Sequence, residues 1–302
     1  MGKTSRGKEQ QAQKVPPREI PAPFLIGWLA QPWIVLLILS LLAILIYSNT
    51  FSASFQFDDL PNILENPRIR NFSSLLLSET RYVGFLSFAL NYHFGELNVF
   101  GYHLVNLAIH ITNGFLVYTL ILLLFKTPRM QSPPIHTNQS HWIALASALL
   151  FVAHPIQTQA VTYITQRYAS LAALFYLLAV VLYLKWRLAP SEAKSQSLWY
   201  AGALLSTVLA MKTKEITFTL PFMLLLVEVI FFGSFTKKRW ITLIPFFLTL
   251  PIIPLSPLVE GFGERGNIIA RETTAISRVD YLFTQFSVIM TYLRLLVFPV
   301  HQ

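Results

Sequence analysis

The chain has 302 residues, 54 % of them hydrophobic and only 12 % charged, with a net charge of +9 and no cysteine; its mean hydropathy is +0.53. That balance excludes an ordinary soluble domain, and the missing cysteines exclude disulfides, thiolate metal sites and cysteine nucleophiles. The basic residues lie in short clusters between apolar runs, without the contiguous basic face that phosphate backbones need, so no nucleic-acid partner is expected and the lipid bilayer is the first partner.

The chain opens on a polar, basic stretch, "MGKTSRGKEQQAQKVPPREIPAPF", read with residue 25 as a cytosolic tail over 1–25. Arg6 stands where a myristoylation motif wants Ser or Thr, which argues against an acylated Gly2. The apolar run at 26–48 is too long for a signal-peptide core and lacks a small-residue cleavage site, so it reads as an uncleaved first span. A loop over 49–100 follows, far longer than the usual connection. Within it "YVGFLSFALNYHF" (82–94) is too short to span and is expected as an interfacial helix. Further apolar runs at 101–125, 142–156, 168–186, 198–212, 216–233, 240–258 and 281–299 complete an all-α polytopic membrane protein of about eight transmembrane helices. The excess of Lys and Arg falls on the side of the N-terminus, which puts that side in the cytosol. Asp58, Asp59, Glu65, Glu79, Glu96, Glu215, Glu260, Glu264, Glu272 and Asp280 then all fall on the outer side.

Four polar groups interrupt this pattern. Asp58 and Asp59 sit in "FDDLPNILENP", just beyond the first span. They read either as a solvated, capped turn or as a general base with a supporting neighbour, the adjacent side chains diverging so that one faces the site. His103, Asn106, His110 and Asn113, spaced 3, 4 and 3, share a stripe about 80° wide on one helix. Such a stripe faces the bundle interior, either for interhelical hydrogen bonding or to line a polar cavity; its two histidines are too far apart for a compact metal pair. "AHPIQTQAVTYITQRYA" sets His154, Pro155, Gln157, Thr158, Gln159 and Arg167 at an outer turn, where Arg167 either snorkels or adds to a helix dipole that could hold a phosphate. "MKTKEITFTLP" repeats that arrangement with Lys212, Lys214 and Glu215, as interface anchors or as phosphate ligands. Glu228, late in its span, reads as structural rather than as a proton relay.

The ordered set "FDDLPNILENP", "SFALNYHFGELNVFGYHLVNLAIHITNGFLVY", "HPIQTQAVTYITQRYASLAALFYLLAVVLY", "KTKEITFTLPFMLLLVEVIFF" and "YLRLLVFPV" resembles the transmembrane and tetratricopeptide-repeat O-mannosyltransferase family, and through it the protein O-mannosyltransferases of the GT-C class. The resemblance covers roughly residues 45–300 and departs at "RYVGFLSF", where relatives commonly have Arg-Pro-Leu. It implies a GT-C-like transmembrane domain over 26–302, followed in the family by tetratricopeptide repeats; the abrupt close at "RLLVFPVHQ" is what a chain cut before them would show. It also implies a glycosyltransferase moving a mannose-like hexose from a polyprenyl-phosphate donor to a hydroxyl of a protein or other acceptor on the outer face. The family's first-loop acidic base maps to Asp59 or Asp58, with Asp59 preferred.

That chemistry also suits the residue types taken alone. A hydroxyl attacking an anomeric carbon needs a base, and a departing lipid phosphate needs positive charge, here from Arg81, Arg167 or Lys214. His103, Asn106, His110, His154, Gln157 and Glu215 are then expected to shape the pocket. No metal ligand set is expected, though paired aspartates are compatible with Mg²⁺ or Mn²⁺. The active site would face the periplasm in a bacterial inner membrane or the lumen in an endoplasmic-reticulum membrane. The competing reading is a transporter or flippase using the same polar stripe, which discontinuous helices or inverted symmetry would favour.

Overall fold

The computed structural model describes residues 31–75, 80–131, 137–190, 193, 195–233, 236–259 and 277–300. The expected cytosolic tail lies outside the described residues. The described chain is an all-α, multi-span membrane protein. Among the described residues, five helical stretches are long and apolar enough to cross a bilayer: Pro32–Ser52, Val99–Phe125, Ile164–Leu188, Glu215–Phe232 and Arg239–Ser256. Asn138–Ala153 and Pro155–Thr162, bent by 52° at the break between them, make a sixth if the pair is counted as one span. The expected spans at 198–212 and 281–299 correspond to helices Gln196–Met211 and Arg278–Val297. Both fall outside that set: the first has 16 residues and reaches only about 24 Å, and the second carries Asp280, Gln285 and Arg294.

The first helix, α1 (Pro32–Tyr47), starts on a proline whose fixed φ suits the first turn. Ile34, Val35, Leu39, Ala43 and Tyr47 make its buried stripe, while Leu37, Leu41 and Leu45 stay exposed. A helix that is apolar all round yet packs one stripe is suited to a bilayer. The central helix α3 (Val99–Phe125) begins where the Asn98 side chain accepts the N–H of Phe100. It packs on α1, on α4 (Thr137–Ala153) and on α6 (Arg167–Leu188); α6 in turn packs on α7 (Gln196–Met211). Between α1 and α3, helix α2 (Tyr82–Gly95) lies over the start of α6. Gly84 permits that approach, because a Cβ there would stand 2.3 Å from the Tyr168 ring.

The break after α4 is held by the polar stripe of α3. Pro155 has no N–H, and the N–H of Ile156 turns back to His154 Nδ1, so carbonyls at the end of α4 lose their helical donors. His110 Nε2 and Tyr47 Oη bond the carbonyl of Val152 at 3.1 and 3.3 Å. Asn106 Nδ2 donates to the carbonyls of Val161 and Ile164, on either side of the next interruption, and Asn113 Nδ2 donates to that of Ser170. In a bilayer such freed groups must be satisfied from within the protein.

At the far end of the bundle Glu228 is fully buried and accepts from Tyr183 Oη at 2.7 Å and from Arg187, with Arg239 Nη1 at 3.7 Å. The backbone there widens into one π turn, Glu228–Phe232, which Gly233 ends at φ 76°. Glu228 is thus bonded into the packing, in keeping with a structural role.

Candidate active site

Residues 54–66 fold back over the start of α6 as a chain of short turns that separates the two aspartates. Asp59 is 1 % exposed; its Oδ1 accepts the N–H of Thr165 at 2.8 Å and its Oδ2 that of Gln56 at 3.0 Å. Asp58 is exposed, and its backbone N–H donates to Tyr163 Oη at 2.8 Å. Asp59 lines a cavity of about 280 Å³ together with Ala53, Ser54, Gln56, Phe57, Thr158, Gln159, Thr162 and Tyr163. Asp58 does not. A second cavity of about 230 Å³ lies between Pro155, Ile156 and the last helix, and Gln159 belongs to both walls.

Three of the cations and acids named from sequence form a separate cluster. Arg81 and Glu215 pair through two parallel hydrogen bonds of 3.0 Å, each side chain about two-fifths exposed. The Arg81 guanidinium lies 5.4 Å from the Tyr168 ring centre. Lys214 adjoins the pair, and partial burial, with Arg81 beside it, holds its ammonium pKa below the usual lysine range despite Glu215. Tyr168, under Arg81, is three residues from Thr165, which holds Asp59; the cluster and the aspartate thus both meet the chain near the start of α6.

Arg167 stands elsewhere. It is fully buried, donating from Nε to Asn106 Oδ1 at 2.7 Å, from Nη1 to the Ser87 carbonyl and Asn91 Oδ1, and from Nη2 to the Tyr102 carbonyl at 2.7 Å. Four of the five guanidinium N–H donors are taken by protein acceptors, so Arg167, named from sequence as a phosphate ligand, stands as an internal clamp of α6 on α2 and α3. His103, Asn106 and His110, expected at the pocket, also stand within the packing. All three are buried and turned to backbone carbonyls, His103 Nε2 to that of Ala53 at 2.9 Å, and none lines the cavity. His154 caps its own turn through Nδ1 and reaches the carbonyl of Leu296 through Nε2 at 3.1 Å. Gln157 lines neither cavity, although its neighbours Thr158 and Gln159 do. Among the described residues no three His, Asp or Glu side chains converge as a cation site would require.

The structure adds Phe57, Thr162 and Tyr163 to the site, beside Thr158 and Gln159 of the outer turn. Tyr163 and Thr162 lie within the "TYITQRYA" segment already singled out, but nothing in residue type distinguished them from interface-anchoring side chains.

The chain is 31 % identical over 198 residues to the human protein O-mannosyl-transferase TMTC2, a match covering 59 % of this chain and 22 % of that protein. It is 33 % identical over 166 residues to tmtc2 of Xenopus laevis, covering 49 % and 18 %. To human TMTC4 it is 26 % identical over 224 residues, covering 68 % and 30 %. The chain thus matches less than a third of the length of these relatives, and the kinship is a distant homology. No family model and no solved structure matches it.

Proposed function

We propose that this homologue of proteins named O-mannosyl-transferases is the membrane part of a glycosyltransferase of GT-C type, which moves a hexose from a polyprenyl-phosphate carrier to a hydroxyl acceptor on the non-cytosolic face. The carrying observation is Asp59, one carboxylate set in a cavity wall with each oxygen oriented by a backbone N–H. In the proposed reaction the acceptor O–H attacks the anomeric carbon, and its proton passes to Asp59. The carbon–oxygen bond to the carrier phosphate breaks as the new one forms, the electron pair leaves with the polyprenyl phosphate, and the anomeric configuration inverts. Lys214 and Arg81 supply positive charge toward the departing phosphate, Arg81 exchanging part of its pairing with Glu215 for it. Asp58 supports the turn through its backbone bond to Tyr163.

The test is transfer of labelled hexose from a polyprenyl-phosphate donor to a hydroxyl-bearing peptide. Asp59→Asn is expected to lower kcat by about a hundredfold or more, the scale of general-base catalysis, and Asp58→Asn by a few-fold at most. Full activity in Asp59→Asn overturns the assignment of the base. The broken span at 153–155 supports a second reading, a transporter with a discontinuous helix. Substrate movement across vesicles without any transfer would favour it.

A further inference from the structure

Phe57 adopts φ 45°, a backbone conformation that bulky side chains rarely take. The turn around it holds it there, through Asp59 N–H to the Gln56 carbonyl, Leu60 N–H to the Phe57 carbonyl and Asp58 N–H to Tyr163 Oη. The ring is 80 % exposed, so burial does not offset the strain, yet it lines the Asp59 cavity. Tyr163 lines it too, its ring perpendicular to that of Phe57 at 87° and 6.5 Å between centres. Its oxygen accepts the Asp58 N–H, which leaves its own O–H to serve as a donor.

We propose that Phe57 and Tyr163 form the hexose-binding corner of this cavity, the apolar C–H face of one sugar ring lying on Phe57 while Tyr163 Oη donates to a sugar oxygen. This rests on the glycosyltransferase reading and names the residues that hold its sugar. A perpendicular pair of rings offers a floor and a wall, and Gln56, Thr158 and Gln159 surround them with groups that hydrogen-bond hydroxyls. The cavity's 280 Å³ lies at the small end of ligand sites, matching one monosaccharide rather than a chain of them.

The experiment measures binding of a polyprenyl-phosphate hexose and of the same polyprenyl phosphate without sugar, by wild type, Phe57→Gly and Phe57→Trp. Glycine accepts φ 45° without strain, so Phe57→Gly is expected to melt no lower than wild type. Its affinity for the sugar-bearing donor falls about tenfold, while that for the bare phosphate stays within about twofold. Phe57→Trp keeps the preference for the sugar-bearing donor. Equal binding of that donor by Phe57→Gly and wild type overturns the corner. If transfer is still lost in Asp59→Asn, the corner alone falls and the glycosyltransferase stands; if wild type neither prefers the sugar-bearing donor nor transfers sugar, both fall.

Discussion

Replacing Arg167 separates a structural cation from a ligand-binding one. Its guanidinium joins α6 to acceptors on α2, Ser87 and Asn91, and on α3, Tyr102 and Asn106, and it lies 4.6 Å from the Phe88 ring centre. Each charge-assisted bond contributes about 1.5–3 kcal/mol, against a cost of several kcal/mol for taking the charge out of water. Truncation in Arg167→Ala strands acceptors on both helices, and the net loss is expected to be about 3–5 kcal/mol. Arg167→Lys keeps the charge, but one ammonium cannot reach acceptors spread over two helices. It leaves two or more unpaired, at about 1–3 kcal/mol each. The assay is denaturant unfolding in detergent micelles, with the donor KM measured on the fraction that folds. The expected result is a less stable Lys variant with an unchanged KM. A Lys variant as stable as wild type but with a raised donor KM would refute the clamp and return Arg167 to the phosphate.

Lys214 gives a pH prediction. Its folded-state pKa lies below the ordinary value, so as pH rises through it the ammonium loses its proton earlier than a free lysine would. Donor affinity should weaken on that alkaline limb, while Lys214→Arg, which stays charged, moves the limb to higher pH; the donor KM measured against pH checks both. The unfolded chain binds the extra proton over the same window, so the Lys214 contribution to stability rises with pH there, opposite in sign to its effect on binding. At the far end, Glu228→Gln breaks a buried cluster with Arg187 and Arg239 and should destabilise by about 3–5 kcal/mol. Pairing Glu228→Leu with Arg187→Met should cost less than Glu228→Leu alone, which unfolding of the two variants measures.

The apolar runs reveal the long helices, because a bilayer asks little more of a span than length and hydropathy. α7 shows the limit: its run reads as a span, but its helix has 16 residues, and the criterion it misses is a physical length. The spacing of His103, Asn106, His110 and Asn113 announces a buried face, and all four are buried. It does not announce their partners: Asn106 and His110 meet backbone carbonyls at breaks some fifty residues on, Asn113 the carbonyl of Ser170 within α6, and His103 that of Ala53 in the preceding loop. Arg167 is read by the same token as a charge at a helix start, because its acceptors on α2 are brought there by tertiary packing, including that of Gly84 against Tyr168. Asp59 stands out in the sequence as an odd charge after a greasy helix. Its separation from Asp58 follows from a turn that bonds one carboxylate and leaves the other exposed. Phe57 carries no sequence signal, because its distinction is a dihedral angle.

The satisfied break after α4 also bears on the order of assembly. The carbonyls of Val152, Val161 and Ile164 are bonded from Tyr47, Asn106 and His110, residues on helices that leave the ribosome earlier. A kinked span inserted alone would carry unpaired backbone into hydrocarbon, whereas one arriving beside α1 and α3 finds its donors in place. Read from N- to C-terminus, the chain thus builds the template before the segment that needs it. A permuted chain that synthesised residues 137–166 first would meet the membrane with its least tolerable segment and no companion.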